Sequence, residues 1–175
     1  MGNAASTEVL DPETVRENEI DAILLSVDHK ITEQKINNEV IKAIPVGLCK
    51  HSSTLESLNM NSNKIQDCKR ITLLLNLKRL TLTHNCLVNL QPELFTPPKL
   101  ESLDLSYNGI VEVIPEIGNL KALTTFIASY NEISRVAVEI ADCVSLKTLI
   151  LDHNKVKSSL NIHLFQLYFD LIFHH

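Results

Sequence analysis

The sequence predicts an α/β solenoid: a right-handed coil of about six 22–24-residue repeats whose short strands line a parallel, concave sheet. Three observations predict it. Asparagines recur at Asn63, Asn85, Asn108, Asn131 and Asn154, in steps of 22, 23, 23 and 23 residues. Around each stands one frame: Leu at the first position, apolar residues at the fourth and sixth, Asn at the ninth and an apolar residue at the eleventh. Its five copies begin at Leu55, Leu77, Leu100, Leu123 and Leu146. A degenerate copy precedes them, with Ile31, Ile36, Ile41, Ile44-Pro45 and Leu48 on frame positions, Gln34 at the fourth and Glu39 at the ninth. First repeats depart from consensus because they have one neighbour only.

Each element follows from the frame. The fourth and sixth positions point the same way from an extended segment, so they enter the core together, and the residues beside them face outward. Each coil buries its leucines against its neighbours, so stability is a nearest-neighbour sum. The ninth-position amide carries both donors and an acceptor, which suits it to satisfy loop backbone of adjacent coils.

The ends break the period. Residues 1–10 are expected to form a flexible terminus. Asp11-Pro12-Glu13 reads as a helix start: an N-cap, proline at the first helical position and an acid in the first turn. Ile20, Ile23, Leu24 and Val27 follow at helical spacing, so 11–30 is expected to cap the first coil with its acids facing solvent. The repeats run over 31–157. Beyond Ser159 the frame dissolves, no seventh copy is expected near position 169, and 158–175 reads either as an atypical capping helix or as a truncated ending.

Charge is concentrated at one end. Residues 1–30 hold seven acids against Arg16 and Lys30, which accounts for the whole formal net charge of −5; the repeat body is neutral. With no basic stripe to track phosphates, nucleic acid is not an expected partner. Cys49, Cys68, Cys86 and Cys143 fall on unrelated frame positions, so no metal site or disulfide framework is expected. Residues 1–10 show neither a basic nor an apolar signal region, and the apolar run Leu160–Phe173 is too short and polar to span a bilayer. A reducing, cytoplasmic setting is expected.

Met1-Gly2-Asn3-Ala4-Ala5-Ser6 fits the N-myristoylation pattern, with Gly2 the acceptor. One myristoyl chain gives only marginal, reversible membrane binding, with K on the order of 10⁴ M⁻¹. The acids that follow repel an anionic leaflet, so the expected association is weak and partial.

The outward columns locate a candidate binding face. From coil to coil the eighth position reads Asn38, Ser62, His84, Tyr107, Tyr130 and His153. The fifth reads Lys35, Asn59, Thr81, Asp104, Ile127 and Ile150, and the third includes Arg79. Ile127 and Ile150 are expected to be exposed side by side and flanked by Tyr107 and Tyr130, a composition that interface centres favour. The bland reading is a ring that only covers the strand edge. Arg79 and Asp104 read as steering charges or as plain solvated ones. Catalysis is not expected: His84 with Ser106 and Asp104 would sit on an open face without oxyanion donors. His84 and His153 stand three coils apart, about 14 Å by strand spacing, which is too far to share a metal ion. No cofactor is implied, since no Gly-rich phosphate loop occurs.

The repeats resemble those of intracellular leucine-rich-repeat proteins of the 23-residue type, the broad class that includes the Ras-suppressor scaffolds. A closer resemblance, to one small member of that class, rests on Met1-Gly2-Asn3 and the run Asn131-Glu-Ile-Ser-Arg-Val-Ala-Val-Glu-Ile-Ala-Asp-Cys143 through Leu151. It covers roughly 30–157. The resemblance implies a small leucine-rich-repeat solenoid with an amino-terminal myristoyl group and no known activity, and this chain departs from it after Ser159. The expected function is a non-enzymatic, monomeric scaffold or adaptor that binds a protein on its concave face. A regulatory subunit in a phosphatase or small-GTPase pathway, by fold analogy, and a truncated product without independent function are the alternatives.

Overall fold

Seven parallel strands, each from one coil, form a single sheet in the computed structural model, which describes residues 12–26, 32–156 and 170–172. They are β1 (Glu33–Lys35), β2 (Ser57–Asn59), β3 (Arg79–Thr81), β4 (Ser102–Asp104), β6 (Thr125–Ile127), β8 (Thr148–Ile150) and β9 (Asp170–Ile172). The register carries the frame across the sheet: Leu58 pairs with Leu80, Leu80 with Leu103, Leu103 with Phe126 and Phe126 with Leu149. These fourth-position residues are buried, as are Met60, Leu82, Leu105, Ala128 and Leu151 at the sixth. The chain turns back through short 3-10 helices on the convex side, at Val46–His51, Lys69–Leu73, Pro92–Phe95, Pro115–Asn119 and Val138–Asp142. A second, two-stranded sheet of β5 (Glu112–Val113) and β7 (Arg135–Val136) ties two of the outgoing loops together.

Four expectations about the ends need correction. A seventh strand does form: Leu149 pairs with Leu171, so the step is 22 residues rather than 23. Tyr168, not a leucine at 169, then falls on the first frame position, and the frame is hard to see. Asp170–Ile172 form this strand, not part of a capping helix. Residues 157–169 and 173–175 lie outside the described residues, as do the remaining expectations for the tail.

At the other end α1 (Pro12–Ser26) lies on the first coil through Ile20 and Leu24, both buried. Ile23 faces outward, because the contact stripe is one residue pair wide. Nor do the acids all face solvent. Asp21 Oδ1 accepts from Gly47 N at 2.8 Å, Glu17 Oε1 accepts from Lys42 N at 2.6 Å, and Arg16 Nε donates to Glu39 Oε2 at 2.7 Å. The approach is close: a Cβ on Gly47 would stand 2.6 Å from Leu24 Cβ. Asp11, Val27 and Ile31 lie outside the described residues. Burial pushes the Cys68 thiol up to about 12 and Cys143 up to about 11, so both stay protonated within the core. Among the described residues no helix is long and apolar enough to cross a membrane.

Candidate functional site

The concave surface is built by one backbone device used in every coil. After the strand the chain must swing inward to bring the ninth-position asparagine into the core. The eighth residue does this by taking the left-handed conformation: φ is 61° at Asn38, 57° at Ser62, 54° at His84, 56° at Tyr107, 55° at Tyr130 and 54° at His153. None of these is glycine, so each carries a side chain that the turn aims along the concave edge.

The asparagines fix that turn. Asn131 Nδ2 donates to Leu105 O at 3.0 Å in the preceding coil and to Ala128 O at 3.1 Å in its own, while Oδ1 accepts from Ile110 N at 3.0 Å. Asn108 repeats the set with Leu82 O, Leu105 O and Leu87 N. Asn85 and Asn154 do likewise, and Asn63 Oδ1 reaches back to Glu39 N and Ile41 N of the first coil.

Coils held in one register hold their eighth-position rings in one register too. His84 stacks on Tyr107 with centroids 4.3 Å apart, Tyr107 on Tyr130 at 4.4 Å and Tyr130 on His153 at 4.0 Å, all within 14° of parallel. The tyrosines remain 44% and 41% exposed. Partial desolvation raises the Tyr107 hydroxyl pKa, and the neighbouring Tyr130 raises it further. Beneath the column, Ser129 donates its hydroxyl to Asp152, whose other oxygen meets His153 Nδ1 at 3.1 Å. The serine, and then the histidine, hold the Asp152 carboxyl below its usual range.

The structure thus brings four of the sequence-predicted residues, His84, Tyr107, Tyr130 and His153, into one continuous stack. Ile127 and Ile150 pair in register next to it, but they are half-buried rather than exposed, since adjacent strands shield one another. Arg79 is engaged at the early end with Glu33, at 3.1 Å. Asp104 accepts from the Ser106 hydroxyl at 2.7 Å, so that proton points at a carboxylate while the His84 ring lies against Tyr107. No nucleophile geometry results. Ser106, Ser129 and Asp152 were missed as supports; the signal was the uniformly polar seventh column, Asn37, Asn61, Thr83, Ser106, Ser129 and Asp152. Among the described residues no three His, Cys, Asp or Glu side chains converge on a metal position. Gly2 lies outside the described residues.

A family model described as leucine rich repeat matches residues 75–126 and again 98–156, and a second of the same description matches 51–67. No curated protein matches the chain. Among solved structures it is similar to a leucine-rich-repeat protein of Leptospira interrogans, with 24% identity, a TM-score of 0.67, and coverage of 88% of this chain and 44% of that one. It is also similar to internalin C2 of Listeria monocytogenes (18% identity, TM-score 0.58, 88% of this chain and 84% of that one). A third is the BIR2 ectodomain of Arabidopsis thaliana (23% identity, TM-score 0.58, 73% and 69%). The chain spans less than half the length of the Leptospira protein.

Proposed function

We propose, on the premise that this chain is a leucine-rich-repeat protein, that it is a non-enzymatic scaffold holding a protein partner against the later coils of its concave face. Folds of this kind generally mediate protein–protein contact and generally do not catalyse reactions. One observation carries the reading: the four-ring stack from His84 to His153, half-exposed and bordered by Ile127 and Ile150. Rings that already stack on one another have less side-chain entropy to lose on binding than isolated ones. Tyrosine on such a surface supplies both apolar area and a hydroxyl.

Parallel baits test it: the wild-type chain, the double variant Tyr130→Ala/Ile127→Asp, and Val138→Asp on the convex side. A concave-face partner stays with the wild type and Val138→Asp and is weakened at least about 30-fold by the double variant, the scale of a lost hot spot. Equal recovery by all three baits overturns the reading.

Two finer elements belong to the same proposal. The Met1-Gly2-Asn3 opening and the Asn131–Leu151 run resemble leucine-rich-repeat-containing protein fifty-seven, and Gly2 is the lipidation site of a cytoplasmic, monomeric protein that is partly and reversibly membrane-associated. An unchanged membrane fraction in a Gly2→Ala variant would sink the tether.

A further inference from the structure

Where each coil leaves the concave strand, the solenoid has a rim whose apolar residues the core does not use. In the third and fourth coils Val88 and Val111 are 50% and 39% exposed. Val111 N donates to Val88 O at 3.2 Å, so the two stand side by side. Cys86 is exposed on the same rim. Gly109 leaves room beside them, since a Cβ there would stand 3.5 Å from Val88 Cγ2. In the first coil exposed Val40 occupies the frame position of Cys86 and is held at φ 62°, a region β-branched residues rarely enter. The core is filled without them, by Leu87, Leu90, Ile110 and Val113. Rim charges are matched in pairs: Arg16 with Glu39, Arg135 with Glu112, Lys155 with Glu132.

The helix α1 brings its first turns to this rim. Arg16 and Glu17 bond to Glu39 and Lys42 N, which lie on it. Farther along the helix, Leu24 O and Leu25 O meet His51 and Lys50 of the convex turn. The Pro12 end of α1 is therefore the rim end. The ten residues from Gly2 to Pro12 reach at most about 33–36 Å. Coils stack about 4.8 Å apart, so Val88 and Val111 lie roughly 10–15 Å along from the first coil.

We propose that the rim of Val40, Cys86, Val88 and Val111 is the surface that lies against a zwitterionic phospholipid bilayer, and that it supplies the second contact a single acyl chain on Gly2 requires. The inference rests on the Gly2 reading above. One myristoyl chain alone binds marginally, and a second element converts that into retention. Here the second element works through apolar area, which suits a protein whose amino-terminal acids disfavour an anionic leaflet.

The test uses the full chain made with an N-myristoyltransferase, its acylation verified by intact mass, and phosphatidylcholine vesicles in co-sedimentation. Val88→Asp/Val111→Asp lowers the partition coefficient by about tenfold, from the apolar area withdrawn. Val138→Asp/Val144→Asp on the convex side leaves it within about twofold. If the aspartate pair unfolds the chain in a thermal melt, Val88→Ser/Val111→Ser carries the same expectation. An acylated chain that binds vesicles equally well with the rim altered overturns the rim and leaves the Gly2 reading standing; a rim that binds protein gives that result. A chain whose mass shows no acyl group overturns the Gly2 reading and the rim together.

Discussion

From the first coil to the fifth, each coil offers a loop N–H to the ninth-position asparagine of the coil that follows: Ile41 to Asn63, Ile65 to Asn85, Leu87 to Asn108, Ile110 to Asn131, Ile133 to Asn154. The first coil has no coil before it, and on that side α1 takes over, with Glu17 and Asp21 accepting from Lys42 N and Gly47 N. An amide accepts from one neighbour and donates to carbonyls at the same time, so it can be repeated from coil to coil. A carboxylate only accepts. It satisfies the donors it faces and passes nothing on, which is what the end of a series needs. The acidic segment is thus a terminator in the hydrogen-bond sense, and its charge comes with that role.

The contrast predicts where damage should spread. Leu105 is fully buried between two coils, and Leu105→Ala should cost about 2–5 kcal/mol in urea titration, with both flanking coils losing amide protection. Asn131→Ala would orphan Ile110 N together with Leu105 O and Ala128 O, for about 1–3 kcal/mol shared by the fourth and fifth coils. Asp21→Ala removes a single acceptor at a half-buried site and should cost about 0.5–1.5 kcal/mol. Hydrogen exchange then quickens in α1 and the first coil only; quickening as far as the fourth coil would erase the distinction between terminator and ladder. The smallest effect concerns Asp152. Its carboxyl titrates below its usual range, so its contribution is complete above the unfolded value near about 3.9 and is lost as pH falls through the lower folded value. Ser129→Ala should move the Asp152 titration upward in NMR, toward the unfolded value.

Much of the fold was legible because a period is a redundant signal: five copies state the same core positions, and the sheet register repeats them. What single copies decide was not. β9 escaped because its step shortens by one residue and places Tyr168 where the other repeats have leucine. The bonds from Glu17 and Asp21 join two segments of unlike periodicity, so no spacing announces them. In the candidate site the columns were readable but the stack was not, since it depends on a positive φ at the eighth position. Asn38, His84 and His153 in that column were the available hint, as both types are enriched in the left-handed region. The half-burial of Ile127 and Ile150 is a property of two strands together and of neither alone.

The stacked rings have a further consequence. The chain contains no tryptophan and only three tyrosines, and two of those are Tyr107 and Tyr130. Near-ultraviolet absorption, circular dichroism and fluorescence of the unlabelled protein therefore originate largely in the concave column, where stacked chromophores at 4.4 Å couple to one another. The molecule carries an optical reporter on the face where a partner is expected to arrive, and occupancy can be followed without adding a dye.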